Sequence, residues 1–220
     1  MSERAFTFTG GEFYHIYNRG VDKRKIFFSG GDWDHFQRLL YVRNSEQRID
    51  IDRIRQKSLS EIATKEVLID IVAYAMMPNH FHLLIYIKKD DVATIFMRRL
   101  LTSFSMYMNK KYNRSGPLMC RPFRAKHVDS DEHMRWLFAY IHLNPVDLVE
   151  PNWKEEGITN LKNVQDFLCE YKYSSYMDYF GDAREEALLL NKKALPIDIS
   201  SLEDPKNMLK EYLASELGVS

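Results

Sequence analysis

The chain has 220 residues, enough for one domain of ordinary size with a sizeable core and a modest appended piece. Its 31 Lys and Arg balance 31 Asp and Glu, and a pI near 7.1 gives no global attraction to a polyanion. Cys120 and Cys169 lack the paired spacing of a disulfide framework or zinc ribbon, no apolar run reaches the roughly 18 residues of a membrane span, and the opening MSERAFTFTGGEFYHIYNRG has no apolar signal core. The protein is accordingly expected to be soluble and cytoplasmic, with no membrane partner and with reduced cysteines.

In chain order, EFYHIYNRG (Glu12 to Gly20) reads as a strand ending at Gly20. DWDHFQRLLYVRNS (Asp32 to Ser45) reads as a helix with Asp32 available as N-cap and Trp33, Phe36, Leu39 and Leu40 on one face. The charged stretch EQRIDIDRIRQKSLSEIATKE (46–66) is poor in large apolar residues and reads as an exposed excursion. VLIDIVAYAMM and HFHLLIYIKK are β-branched-rich runs separated by Pro78-Asn79, a turn signature, and so form a β-hairpin. DDVATIFMRRLLTSFSMYMNKKYN follows as a long helix, with Asp90 or Asp91 as its cap and Phe96, Leu100, Phe104 and Tyr107 in a stripe. GPLMCRPFRAKHVDS is extended, and DEHMRWLFAYIHLN is a helix stopped by Pro145.

The order β-α-(excursion)-β-β-α-β-α predicts an α+β fold, a ferredoxin-like sandwich: an antiparallel sheet with helices on one face, rather than a doubly wound parallel sheet. Residues 1–152 make the main domain. Residues 153–220 make a small helical C-terminal extension packed on it, with an aromatic cluster, EYKYSSYMDYF, and a Leu209, Leu213, Leu217 stripe at helical spacing.

Strand alternation places His80, His82, Leu84 and Tyr86 on one face and Phe81, Leu83, Ile85 and Ile87 on the other, so both imidazoles converge. Taken alone, such a pair is more often two solvated histidines than a half-shell for a divalent metal. On the late helix, Tyr140 and Asn144 stand one turn apart on a common face, and Asn144 closes the helix before Pro145; by themselves they suit a half-buried aromatic with a C-terminal cap better than a second half of a site. His142 points to a different face and reads as structural or DNA-contacting, and His127 and His133 have no identifiable partner. His15 approaches the pair only if the first strand lies beside the hairpin. Charge is also uneven: from Val92 to Lys126 there are eight basic residues, Arg98, Arg99, Lys110, Lys111, Arg114, Arg121, Arg124 and Lys126, and no acid, a local charge of +8. That suits a phosphate backbone or a solvated helix face.

MPNHFHLL, followed later by AYIHLNPV, resembles the single-tyrosine transposases of the HUH (His-hydrophobe-His) superfamily, especially the REP-associated tyrosine transposases and related insertion-sequence transposases. YHIYNRG, TSFSMYMNKKYNRSGPL and YKYSSYMDYFG also look like blocks of that family, so the resemblance covers roughly residues 12 to 181. It implies an enzyme that nicks and transfers single-stranded, often hairpin, DNA as a monomer or homodimer. In that reading Tyr140 is the nucleophile of a covalent 5′-phosphotyrosine intermediate, and His80, His82 and Asn144 hold Mg²⁺ or Mn²⁺. Asn144 is a departure, since related subfamilies have the longer carboxamide, glutamine, there. Arg98, Lys110, Lys111, Arg114, Arg121, Arg124 and Lys126 would contact phosphates, with Tyr112 and Phe123 stacking on unpaired bases. Two other readings are a catalytically inactive DNA-binding descendant and an unrelated His-pair metal-dependent hydrolase. The latter needs carboxylates near the histidines, and Asp70 is poorly placed for that.

Overall fold

The computed structural model describes residues 7–216 apart from Arg55 and Lys65. The chain folds in the order β1 (Phe13–Arg19), α1 (Gly30–Asn44), β2 (Ile69–Met77), β3 (His80–Ile87), α2 (Val92–Lys111), β4 (Arg124–Val128) and α3 (Asp131–Leu143), then α4 (Trp153–Glu156), α5 (Leu161–Glu170), α6 (Tyr176–Phe180) and α7 (Pro205–Glu216). The strands form one antiparallel sheet in the order β2-β3-β1-β4. This is the split β-α-β arrangement of a ferredoxin-like sandwich, and the α+β class is as the element order predicts. The hairpin turns at Pro78-Asn79 as expected, and among the described residues no helix is long and apolar enough to cross a membrane.

Helices cover both faces of this sheet rather than one. α1 and α2 take the first face, where Phe36, Leu39, Leu40, Phe96, Leu100 and Phe104 meet Ile16, Phe81, Leu83 and Ile85. α3 takes the second, where Leu137, Phe138 and Ile141 meet Val72, Ala73, Ala75 and Leu84. The reason lies in β2 and β3. Every residue of β2 is buried, and a bulge between Ile71 and Ala73 sends Val72 and Ala73 to the second face while Tyr74 and Met76 return to the first. A sheet apolar on both sides needs two covering layers.

The residues after α3 complete the second layer: Trp153, Val164, Leu168, Tyr176, Met208 and Tyr212 share its core. In α7 the buried positions are Pro205, Met208 and Tyr212 rather than the expected leucine stripe, because Leu213 turns outward at 38% exposure and Leu209 is half-buried; Leu217 lies outside the described residues. The aromatic segment running into α6 covers much of the outer edge of β2. Tyr173 O accepts from Met76 N, Ser175 N donates to Tyr74 O, and the Tyr171 and Tyr179 hydroxyls donate to Met76 O and Val72 O.

Helix ends depart from expectation where a local bond competes. Ser29, not Asp32, is the N-cap of α1, and the Asp32 carboxylate reaches back to accept from the Phe28 and Ser29 amides, as in a capping box. Asp91 occupies the N-cap of α2 in a left-handed conformation without capping through its side chain, and Asp90 instead accepts from Gly10 N. Pro145 does not end the chain's helical path. It sits in a 3₁₀ turn, Asn144–Leu148, where an early proline costs no hydrogen bond.

Asp32 also ties the two first-face helices together. Its side chain is fully buried and bonds Lys111 Nζ at 2.6 Å and Tyr112 Oη at 2.7 Å, both at the far end of α2. Burial opposes its ionisation, yet the bonds from Lys111, Tyr112, Phe28 and Ser29 hold its carboxyl down at about 2. Asp32→Ala removes a cap contribution of about 1 kcal/mol and charge-assisted bonds of about 1.5–3 kcal/mol, so urea unfolding should show a loss of roughly 2–4 kcal/mol. Because the folded carboxyl is depressed below its unfolded value of about 3.9, this stabilisation is complete above that pH and declines as pH falls toward 2. The stability gap between wild type and Asp32→Asn should therefore narrow from pH 6 to pH 3.

Candidate active site

His80 and His82 leave β3 on the second face, the side of Leu84 and Tyr86, and their rings lie 5.0 Å apart edge to face. The register of β1 against β3 sets Tyr17 opposite His82, His15 opposite Leu84 and Arg19 opposite His80. β4 extends the same rows, with Arg124 opposite Tyr17 and Lys126 opposite His15. One sheet face thus carries three histidines bordered by Arg19, Arg124 and Lys126. Gly20 closes β1 where a Cβ would run into the Arg24 carbonyl, which keeps the chain tight against the hairpin turn.

Each histidine of the pair is held through Nδ1. His80 Nδ1 donates to Asn79 Oδ1 at 2.6 Å, so the asparagine of the turn also orients the next side chain. His82 Nδ1 lies 2.8 Å from His15 Nε2. His82 is 5% exposed, and its Nε2 has no hydrogen-bond partner among the described residues. A buried ring nitrogen without a partner is costly unless something completes it. Burial is the chief reason that His80, His82 and His15 all resist protonation. Neighbouring His15, His80 and Lys154 depress His82 further, Lys126 and His133 help bring His15 down to about 3, and Asn144 and Asp147 partly counter the effect at His80. Near neutral pH the three rings are uncharged, the form in which imidazole donates a lone pair.

α3 brings the second half. Ser130 caps it by accepting from His133 N. Tyr140 is half-buried and presents its ring edge to His82 at 5.3 Å and to His15 at 6.2 Å. Trp136 stacks on it at 5.2 Å and Tyr212 of α7 at 6.0 Å, so the ring is clasped on its flank. Asn144 is buried, its Nδ2 donating to the Tyr140 carbonyl at 2.7 Å as a C-terminal cap, while its side chain partly offsets the depression of the neighbouring His80. The cap and the approach to the histidines hold together, with Oδ1 as the remaining acceptor. The residues fit a divalent ion by chemistry: two neutral imidazoles with Nε2 uncommitted by these bonds, and one amide oxygen. Among the described residues no group of three or more His, Cys, Asp or Glu is placed to hold one, and Asp70 is bonded to Lys88 at 2.9 Å.

The predicted basic residues divide. Arg124 and Lys126 stand on the histidine face, exposed. Arg121 lies in the loop joined to Arg19, and Lys110 and Arg114 belong to the end of α2, on the other layer. Arg98 is exposed on α2 in a recess with Arg43, Arg48 and Arg99, across the sheet from the histidines. Lys111 is not free for phosphate, being bonded to Asp32, Ser29 and Tyr107. Tyr112 and Phe123 do not present rings for stacking: Tyr112 bonds Asp32 and Phe123 is buried in the first core. Sequence reasoning missed Tyr17, Arg19, Trp136, Tyr212 and Lys154 at the site, and it left His15 unplaced. The one signal available was that Tyr17 and Arg19 alternate with His15.

His142 is structural. It is fully buried, donates from Nδ1 to the Phe138 carbonyl at 2.9 Å, and accepts through Nε2 from Ser175 Oγ at 2.7 Å. Ser175 in turn accepts from Tyr74 N at 2.8 Å. This chain fixes α3 against β2 two residues from Tyr140. His127 and His133 instead find surface carboxylates, Glu12 and Asp129.

Fold and site define an α+β protein with a His-x-His pair and a tyrosine gathered on one sheet face. Residues 33–144, half of the chain, match the family described as "Transposase IS200 like", and the protein belongs to that family. A solved structure of a REP-associated tyrosine transposase bound to a REP hairpin is similar in fold, with a TM-score of 0.50 over 84% of this chain and 90% of the other at 16% identity. Comparison with curated proteins gives no match.

His142→Ala opens a cavity, so it should cost roughly 2–4 kcal/mol in denaturant unfolding, and Ser175→Ala, which leaves His142 Nε2 and the Tyr74 amide without their bonds, about 1–3 kcal/mol. As the two share one bond, the double variant should lose less than the sum.

Proposed function

We propose that this protein is a transposase that cuts and rejoins single-stranded, hairpin-forming DNA with Tyr140 as nucleophile. The observation that carries the reading is the Tyr140 ring set edge-on to His82, whose Nε2 is buried without a partner among the described residues. Family membership supports the transposase activity, and the fold neighbour's hairpin supports the class of DNA.

In this reading the Tyr140 phenol oxygen attacks the scissile phosphorus. The O–P bond to tyrosine forms as the bond to the 3′-oxygen breaks, the phenolic proton passes to solvent, and the departing 3′-oxygen takes up a proton. A 5′-phosphotyrosine and a 3′-hydroxyl result, so the phosphodiester energy is kept, and attack by a 3′-hydroxyl reverses the step. Trp136 and Tyr212 restrict the tyrosine ring to a narrow range of approach, which lowers the entropy to be lost at attack. His80, His82 and Asn144 would hold Mg²⁺ or Mn²⁺, which supplies polarisation of the phosphate and offsets its charge. The DNA strand runs over the histidine face between Arg19, Arg124 and Lys126 on one side and Lys154 on the other. The intact set of His80, His82, Tyr140 and Asn144 speaks against an inactive descendant. That no group of three or more His, Cys, Asp or Glu is placed to hold a metal among the described residues speaks against an unrelated hydrolase.

Tyr140→Phe should abolish the protease-sensitive DNA adduct on denaturing gels and leave binding of the same single strand unchanged; an adduct that persists in this variant means another nucleophile. Arg124→Ala should weaken binding evenly across sequences and lower the slope of log affinity against log salt by about 0.7, one phosphate contact on a single strand. Arg98→Ala, across the sheet, should leave that slope unchanged in the same fluorescence-anisotropy titration.

A further inference from the structure

His15 is buried beside the histidine pair yet stands outside the proposed ion shell, because its Nε2 faces His82 Nδ1 at 2.8 Å. Two ring nitrogens at that distance share one proton, one side giving an N–H and the other a lone pair. With the proton on His82 Nδ1, His82 Nε2 carries a lone pair. With it on His15 Nε2, His82 Nε2 carries an N–H in a buried place where no acceptor lies among the described residues. His15 is itself locked: it sits opposite Leu84 in the β1–β3 ladder, with its ring 4.8 Å from Tyr17 and 5.1 Å from His82. Asn79 constrains His80 in the same manner from the turn.

We infer that His15 is the positioning residue for His82: its Nε2 accepts the Nδ1 proton of His82, fixing that ring's rotation and tautomer so that Nε2 offers its lone pair to a divalent ion. The inference rests on the metal reading of the pair proposed above. The arrangement is of the kind in which a ligating histidine gives its second N–H to a fixed acceptor, and loss of such an acceptor typically costs roughly 10–100-fold in metal affinity. Here the acceptor is an imidazole from the neighbouring strand rather than a carboxylate, so it adds no negative charge beside the site.

Two measurements on the 220-residue chain test it. Long-range proton–nitrogen NMR correlation of the metal-free wild type should show His82 protonated at Nδ1. His15→Phe, which keeps ring packing and removes the acceptor, should shift the proton toward Nε2, and His15→Gln, whose amide oxygen lies near the lost Nε2, should restore Nδ1. In calorimetric titration with Mn²⁺ alone, His15→Phe should bind roughly 10–100-fold more weakly than wild type and His15→Gln should recover most of the loss. A wild-type His82 protonated at Nε2 overturns the inference, as does equal Mn²⁺ affinity in wild type and His15→Phe. Should the wild type bind no Mn²⁺, the metal reading of the pair falls, and the tautomer found in the metal-free wild type still decides for or against His15.

Discussion

The arrangement depends on the pairing register of β1 with β3. It sets Tyr17 against His82 and Arg19 against His80, and it puts His15 within a hydrogen bond of His82. Because side chains alternate, a slip of one residue would send His15, Tyr17 and Arg19 into the first core and bring Tyr14, Ile16 and Asn18 to the histidines. Ile16 and Tyr14 are packed in that first core, so the apolar half of β1 forbids the slip and thereby holds the polar half in place. β4 inherits its register from β1, and the cations on the histidine face follow from the same choice.

The site also reconciles two opposing demands. Metal-type chemistry wants uncharged imidazoles, while a phosphate backbone wants positive charge. Here the rings are kept neutral by burial under α3, and the neighbouring cations, kept at the periphery, reinforce that neutrality instead of competing with it. Lys154 contributes from the C-terminal extension, paired with Asp147 at 3.1 Å, and Asp147 also receives the Trp153 indole. The extension is thus part of the electrostatic surroundings of the pair as well as of the hydrophobic layer.

Much of this was legible in the sequence where periodicity is strong. The hairpin with its face assignment, the long α2 helix and the Tyr140–Asn144 turn of α3 followed from spacing alone. The covering of both sheet faces was not foreseen, although β2 and β3 carry apolar residues at both parities, because a bulge blurred the alternation in β2. What stayed hidden depends on partners distant along the chain. Lys111 and Tyr112 looked like surface residues because Asp32, about eighty positions earlier, is not visible as their partner. Phe123 looked free because its stacking partner, Phe8, lies more than a hundred positions earlier. His15 was ambiguous for the same reason: strand neighbours are set by pairing across the sheet, which a linear pattern does not encode.

The segment Tyr171–Ser175 has a consequence beyond packing. It bonds the outer backbone groups of Tyr74 and Met76 in β2, and through the Ser175 hydroxyl it reaches His142 beneath Tyr140. An unprotected strand as apolar as β2 would recruit strands from other molecules. Protection against aggregation and alignment of the nucleophile's helix are therefore served by the same few atoms. Sequence drift in this segment is then constrained twice over, since a change that loosens the helix also uncovers the edge.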